Sequence, residues 1–246
     1  MNIYARSMAA ETMQKWLMVP SAMLCISLSI LILPISTFGY FRNPMAAELR
    51  WSITELSGAY TVASLSIMFS VPFAGRMADR LGAQRVALIS TFLYAMVLAS
   101  LGLIGNSLLL FYVMYGLMAV AGAGMSPVIF LRFIAMRFDK NRAIALGIAL
   151  TGTGLGFAVL PLITQSVIEA YSWRVAYFVL AAVVLVVAMP VIFFFLKEPK
   201  PSTRASIASE HQEGSDGFGH PGFSIAEAGR QRVFWQMLTA FLFFGV

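Results

Sequence analysis

The sequence predicts an all-α membrane protein with six transmembrane helices and the beginning of a seventh. Three observations carry this. Hydrophobic residues make up 59% and charged residues 11% of the 246, against roughly 45–50% and 25% in a soluble domain. The charges gather in short bridges between apolar runs about as long as a bilayer crossing. Lysine and arginine also divide very unevenly between alternate bridges. The net charge of +6 is therefore spread over several bridges and forms no stripe for nucleic acid.

The elements follow from these brackets. Residues 1–15 carry Arg6 and Lys15 and form an N-terminal segment. The run after them is too long for a signal-peptide core, so it is expected to stay in the mature chain. Trp16–Phe41 and Leu56–Gly75 are free of charge and give the first two spans. Val86–Leu131 is too long for one crossing, since about 20 residues suffice. Gly105-Asn106-Ser107 supplies a turn that splits it into 86–104 and 108–131. Ala143–Ile168 and Val175–Leu196 complete a six-helix unit over 16–196. Residues 197–232 change character: Lys-Glu-Pro-Lys-Pro-Ser-Thr and Glu-Gly-Ser-Asp-Gly-Phe-Gly-His-Pro-Gly make a solvated linker. A seventh run starts at Val233 and reaches Val246. At about 1.5 Å per residue it is shorter than a core about 30 Å thick, so the sequence is expected to be the N-terminal part of a longer protein.

With the N-terminus inside, only Arg42, Arg50 and Arg174 of the 17 basic residues fall outside. The positive-inside rule then puts the N-terminus and the linker in the cytoplasm of a multi-pass cell-membrane protein. Cys25, the single cysteine, excludes an intramolecular disulfide, and both histidines, His211 and His220, lie in the linker. No metal site or cofactor is implied. An intramembrane enzyme would need a nucleophile with its base, or a ligand cluster; the spans hold no histidine, no central carboxylate and no Gly-x-Ser-x-Gly elbow.

Between the second and third spans stands Gly75-Arg76-Met77-Ala78-Asp79-Arg80-Leu81-Gly82, followed by Arg85. So short a basic bridge makes the two spans a hairpin. It resembles motif A of the major facilitator superfamily, Gly-x-Leu-Ala-Asp-Arg-x-Gly-Arg-Arg, at Gly75, Ala78, Asp79, Arg80 and Gly82. It departs at Met77, Ala83 and Gln84, with a basic residue one place late at Arg85. Met136–Gly147 is similar to the Arg-Trp-Phe-x-x-Arg-Arg-Gly-x-Ala-x-Gly junction of the monocarboxylate-porter and oxalate/formate-antiporter branch, with Asn141 and Ala143 where Arg and Gly are common. Ser172-Trp173-Arg174-Val175-Ala176-Tyr177 resembles that branch's opening of the sixth helix, and Glu48-Leu49-Arg50-Trp51-Ser52 its lead into the second. Ala226–Trp235 resembles the lead into the seventh.

The resemblance implies one half of a twelve-helix facilitator built from 3+3 inverted repeats, with the C-terminal half missing. It implies secondary transport of a small-molecule substrate, with monocarboxylates or other organic anions expected, and a co-transported proton or counter-anion. A sugar or drug-like substrate is the alternative, as is a six-helix remnant or partner-dependent subunit that does not transport. It implies a cytoplasmic gating latch at Gly75, Asp79, Arg80, Gly82 and Arg85, against the bland reading of a solvated turn. Gly147, Gly152, Gly154, Gly156 and Pro161 on the fifth span could pack closely, bend, or both. Substrate-path candidates are Ser36, Thr37 and Tyr40 on the first helix and Tyr112 and Tyr115 on the fourth, which as hydroxyl groups near helix ends could equally be packing or interface residues. Arg42 and Arg132 join them at helix ends: Arg42 either attracts an anion or anchors in the head-groups, and Arg132 either snorkels or lines the path.

Overall fold

No group in a bilayer core can hydrogen-bond an exposed backbone amide, so each apolar run satisfies its own as helix. The computed structural model describes residues 2–138, 141–196, 235, 236 and 239, with side chains from residue 15 onward. The linker over 197–232 and most of the seventh run lie outside the described residues. Among those described, every regular element is helical.

The first run is two helices, α1 (Asn2–Ser27) and α2 (Leu33–Leu49), where the sequence predicts one. Pro34 in the first turn of α2 is the physical reason: it has no N–H, and its ring blocks the carbonyl one turn back. The Leu33 amide turns to the Ser29 carbonyl at 3.0 Å, and Ser27 donates to the Leu24 carbonyl at 2.7 Å. The helix α2 runs on past Phe41 to a left-handed cap at Arg50, φ 56°.

A capping box starts α3 (Ile53–Leu81): the Ser52 hydroxyl accepts from the Glu55 amide while the Glu55 carboxylate accepts from the Ser52 amide. This helix does not stop at Gly75. Arg76, Asp79 and Arg80 sit on its last turns, so the expected bridge shrinks to a single residue, Gly82, whose φ of 95° suits only glycine. The helix α4 (Ala83–Leu101) follows at once.

Ser107 caps α5 (Leu108–Ala121). The fourth run is again broken where one helix is predicted: a 3₁₀ turn at Gly122–Met125 and the extended Ser126 precede α6 (Pro127–Ala135), with Pro127 at its start. By contrast α7 (Arg142–Ala170) continues through its glycines and Pro161. The sixth run comprises α8 (Trp173–Val183), a π turn at Val184–Ala188 and α9 (Met189–Phe195). Pro190 gives no N–H to the ladder, and the π turn sits directly before it.

Packing inside the unit pairs α1 with α7, α3 with α5, and α4 with α8. The tightest crossing is α1 on α7. A Cβ on Gly152 would collide with the Met23 carbonyl, and one on Gly156 would come within 2.6 Å of the Ser27 carbonyl. Gly147 and Gly154, on the other side of α7, meet nothing within 4 Å. The core is filled by Ile26, Tyr94, Leu98, Phe111 and Phe130, and Cys25 is buried with them. Met68, Phe69, Leu103, Leu109 and Val186 are largely exposed, as a face toward lipid requires.

Candidate functional site

Two clamps and two cavities make up the site. At the basic end, Asp79 near the C-terminus of α3 pairs with Arg132 in the last turn of α6, at 2.5 Å. A carboxylate near a helix C-terminus faces the negative end of the helix dipole, so it needs a cation nearby. Arg132 is 27% exposed and Asp79 63%, so the cation is the more enclosed partner. Arg76 and Arg80 flank Asp79 on α3 and Arg85 lies in the first turn of α4, all three exposed. Gln84, one of the departures from motif A, donates to the Ile192 and Phe193 carbonyls, both at 3.2 Å. These carbonyls end α9 and have no partner further along it. A guanidinium or ammonium here would also bring a charge; the amide satisfies them without one. Asp139 and Lys140 lie outside the described residues.

At the opposite end, the Glu48 carboxylate accepts from the Trp173 indole at 2.5 Å and from the Arg174 guanidinium. Arg174 lies 4.2 Å above the Trp173 ring and donates also to the Ile104 carbonyl at 3.4 Å. Glu48 and Arg174 together thus tie the end of α2, the α4–α5 connection and the start of α8. The Arg174 hydrogen bond, then that of Trp173, holds the Glu48 carboxyl below its usual range. The native proton is the harder one to add, so the clamp stabilises fully above the ordinary carboxyl pKa near 4.5 and weakens as pH falls through the lowered value. Thermal melts between pH 3 and 6 should show this slope, and Glu48→Gln should flatten it. A slope unchanged in the variant would assign the acid sensitivity to another group.

Between the clamps the path candidates are already engaged. Ser36 and Thr37 are buried and donate to the Leu33 carbonyl of their own helix, at 3.2 and 2.8 Å. Tyr112 donates to the Glu55 carbonyl at 2.8 Å and so holds the start of α3. Tyr115 is buried, its hydroxyl 2.9 Å from that of Tyr177, whose ring stacks on Phe41 at 4.1 Å. A cavity of about 240 Å³ opens beside the α1–α2 break, lined by Leu31, Pro34, Tyr60, Ser64 and Met118. Tyr60 and Ser64 are the lining residues that sequence reasoning missed. Their signal was a polar pair one helical turn apart in an otherwise apolar run.

Tyr40 lines a second cavity of about 450 Å³ with Asn43, Gln165 and Glu169, between α2 and α7. Arg42 lines neither cavity. Its Nε is buried and has no hydrogen-bond partner among the described residues. Neither of the two ion pairs found among them involves it. The structure therefore brings together Asp79 and Arg132, and leaves Arg42 without a counter-ion among the described residues.

Comparison with known proteins agrees with this architecture. The family model described as Major Facilitator Superfamily matches residues 21–246. Monocarboxylate transporter 13 of Rattus norvegicus is 28% identical over 69% of this chain and 39% of its own length. The probable sulfoacetate transporter SauU of Cupriavidus necator is 28% identical over 62% of this chain and 37% of its own. Multidrug resistance protein MdtG of Dickeya zeae is 33% identical over 56% of this chain and 34% of its own. The chain thus spans well under half the length of these relatives. With its apolar runs in helical form and the family model matching nearly the whole length, this is a multi-pass membrane protein, and it belongs to the major facilitator superfamily.

Proposed function

We propose that the chain forms the first half of a secondary transporter that carries small organic anions by alternating access, with its N-terminus and linker in the cytoplasm. The observation that carries the substrate class is Arg42. A guanidinium with a buried, unpartnered Nε leaves a charged donor unsatisfied, which costs several kcal/mol. A carboxylate or sulfonate supplies both the missing acceptor and the missing charge. The printed names of two relatives, a monocarboxylate transporter and a sulfoacetate transporter, favour the same class. The third relative keeps a drug-like substrate as the second reading.

In this reading Asp79 and Arg132 hold the cytoplasmic ends of α3 and α6 together while Arg80 and Arg85 serve the inner gate. The Glu48 clamp keeps the outer ends of the half in one piece as the halves rock. The α1–α2 and α5–α6 breaks let these helices bend beside the cavity.

The test is uptake by the full-length transporter in vesicles. Arg42→Ala should lower the initial rate for a carboxylate solute at least tenfold while leaving a neutral solute unaffected, and Arg42→Lys should recover part of the loss. Equal loss for neutral and anionic solutes would make Arg42 a folding residue and end the anion reading.

A further inference from the structure

A third cavity lies where α3, α4 and α5 meet, and shares no lining residue with the two above. It encloses about 590 Å³ and is lined by Phe69, Phe73 and Leu81 of α3, Leu93 and Val97 of α4, and Leu117 of α5. Its volume is that of a pocket for a small molecule, about 300–1,000 Å³. Ser70 offers it little polarity, since its hydroxyl already donates to the Ser66 carbonyl.

Two features fit this groove to one occupant. From Phe69 to Leu81 it runs about 18 Å along α3, at about 1.5 Å per residue. One leaflet of a hydrocarbon core about 30 Å thick is about 15 Å deep, so the groove has about the length of one acyl chain with its head-group, the stretch from Arg76 to Leu81 lying level with the head-group. It also ends among arginines. Arg76 and Arg80 lie one turn apart on α3, next to the lining residues Met77 and Leu81, and Arg85 precedes the lining Val86 on α4. All three are exposed and make no ion pair among the described residues, while the nearby Asp79 is neutralised by Arg132. The mouth of the groove is therefore cationic.

We infer that the groove holds one acyl chain of an anionic phospholipid from the cytoplasmic leaflet, its phosphate set against Arg76, Arg80 and Arg85. The inference shares with the proposed function the inside orientation of this end and the residues Arg80 and Arg85, and its labelling readout does not depend on transport. Basic residues at a membrane surface each favour anionic lipid about fivefold, so the three together select strongly against zwitterionic head-groups.

Labelling of the full-length protein tests it. Vesicles would carry phosphatidylglycerol or phosphatidylcholine with a photoreactive diazirine on one acyl chain, and the labelled peptides would be mapped by mass spectrometry. The phosphatidylglycerol probe should label the peptides containing Phe69–Leu81 and Leu93–Val97 at least fivefold more than the phosphatidylcholine probe. Peptides around Val186, an exposed residue of the distant π turn, should take up both probes alike. The triple variant Arg76→Gln, Arg80→Gln, Arg85→Gln should lose the preference at the groove and keep its labelling at Val186, which shows that it is still folded in the membrane. Equal labelling of the groove by both probes, or a preference that survives the triple variant, would overturn the inference. So would absence of label from the groove, which would mean that a protein segment covers it.

Discussion

Gly152→Leu is expected to prevent the six-helix unit from packing, whereas Gly154→Leu two residues on should leave it folded. The reason lies in what each Cβ would meet. At Gly152 it would fall on the Met23 carbonyl and stand 2.9 Å from its carbon. The obstacle is backbone, which cannot rotate aside as a side chain can. The cost should exceed the usual overpacking range of about 1–3 kcal/mol, because leucine adds three further carbons beyond the one that already collides. At Gly154 nothing lies within 4 Å, and a glycine replaced inside a helix gains up to about 1 kcal/mol of propensity. Fluorescence-detected size exclusion and thermal midpoints in detergent would compare the two. If both variants melt together, the α1–α7 contact is looser than the backbone distance implies, and the glycines act on something outside this unit.

Asp79→Asn should slow transport about tenfold without impairing membrane insertion. Removal of the carboxylate leaves Arg132, the more enclosed partner, without its acceptor at the end of α6. The stability change should stay near 1 kcal/mol or below, because a pair with an exposed carboxylate is screened. The functional loss has a different origin: two helix ends that moved as one now move apart. Arg132→Gln should therefore be about as slow as Asp79→Asn, and the double variant no slower than either, since residues that act as a unit are not additive. Unchanged initial rates in Asp79→Asn would remove the latch, and fully additive losses would show that the two residues act separately.

Charge bracketing found each of the five helices that are long and apolar enough to cross a membrane among the described residues, because charges are expelled from the bilayer core, not from helices. For the same reason it misjudged helix ends. It stopped α3 at Gly75, although Arg76, Asp79 and Arg80 ride on two more turns of the same helix. The breaks at Leu28–Ile32 and Gly122–Met125 were harder to see. Pro34 and Pro127 sit just beyond them and look, in sequence, like residues inside a continuous apolar run. The side-chain partnerships were not legible at all. Nothing near Arg132 in the chain announces Asp79, 53 positions earlier, and Tyr115 differs from a path residue only through Tyr177, 62 positions later. Local pattern determines which residues are helical and which face is apolar. Pairing across helices depends on rotation and depth, which single-chain periodicity does not encode.

The break between α1 and α2 also bears on how the protein is made. Among the described residues, Lys15–Ser27 of the first helix is an apolar stretch that is not one of the five helices long and apolar enough to cross on their own. A translocon that releases segments one at a time, by their partition into lipid, would find this opening segment too short to retain. The ribosome must therefore deliver α2 before the first crossing can be completed. Biogenesis would then begin with a two-piece unit whose tightest seat, Gly152 of α7 against Met23, emerges more than a hundred residues later.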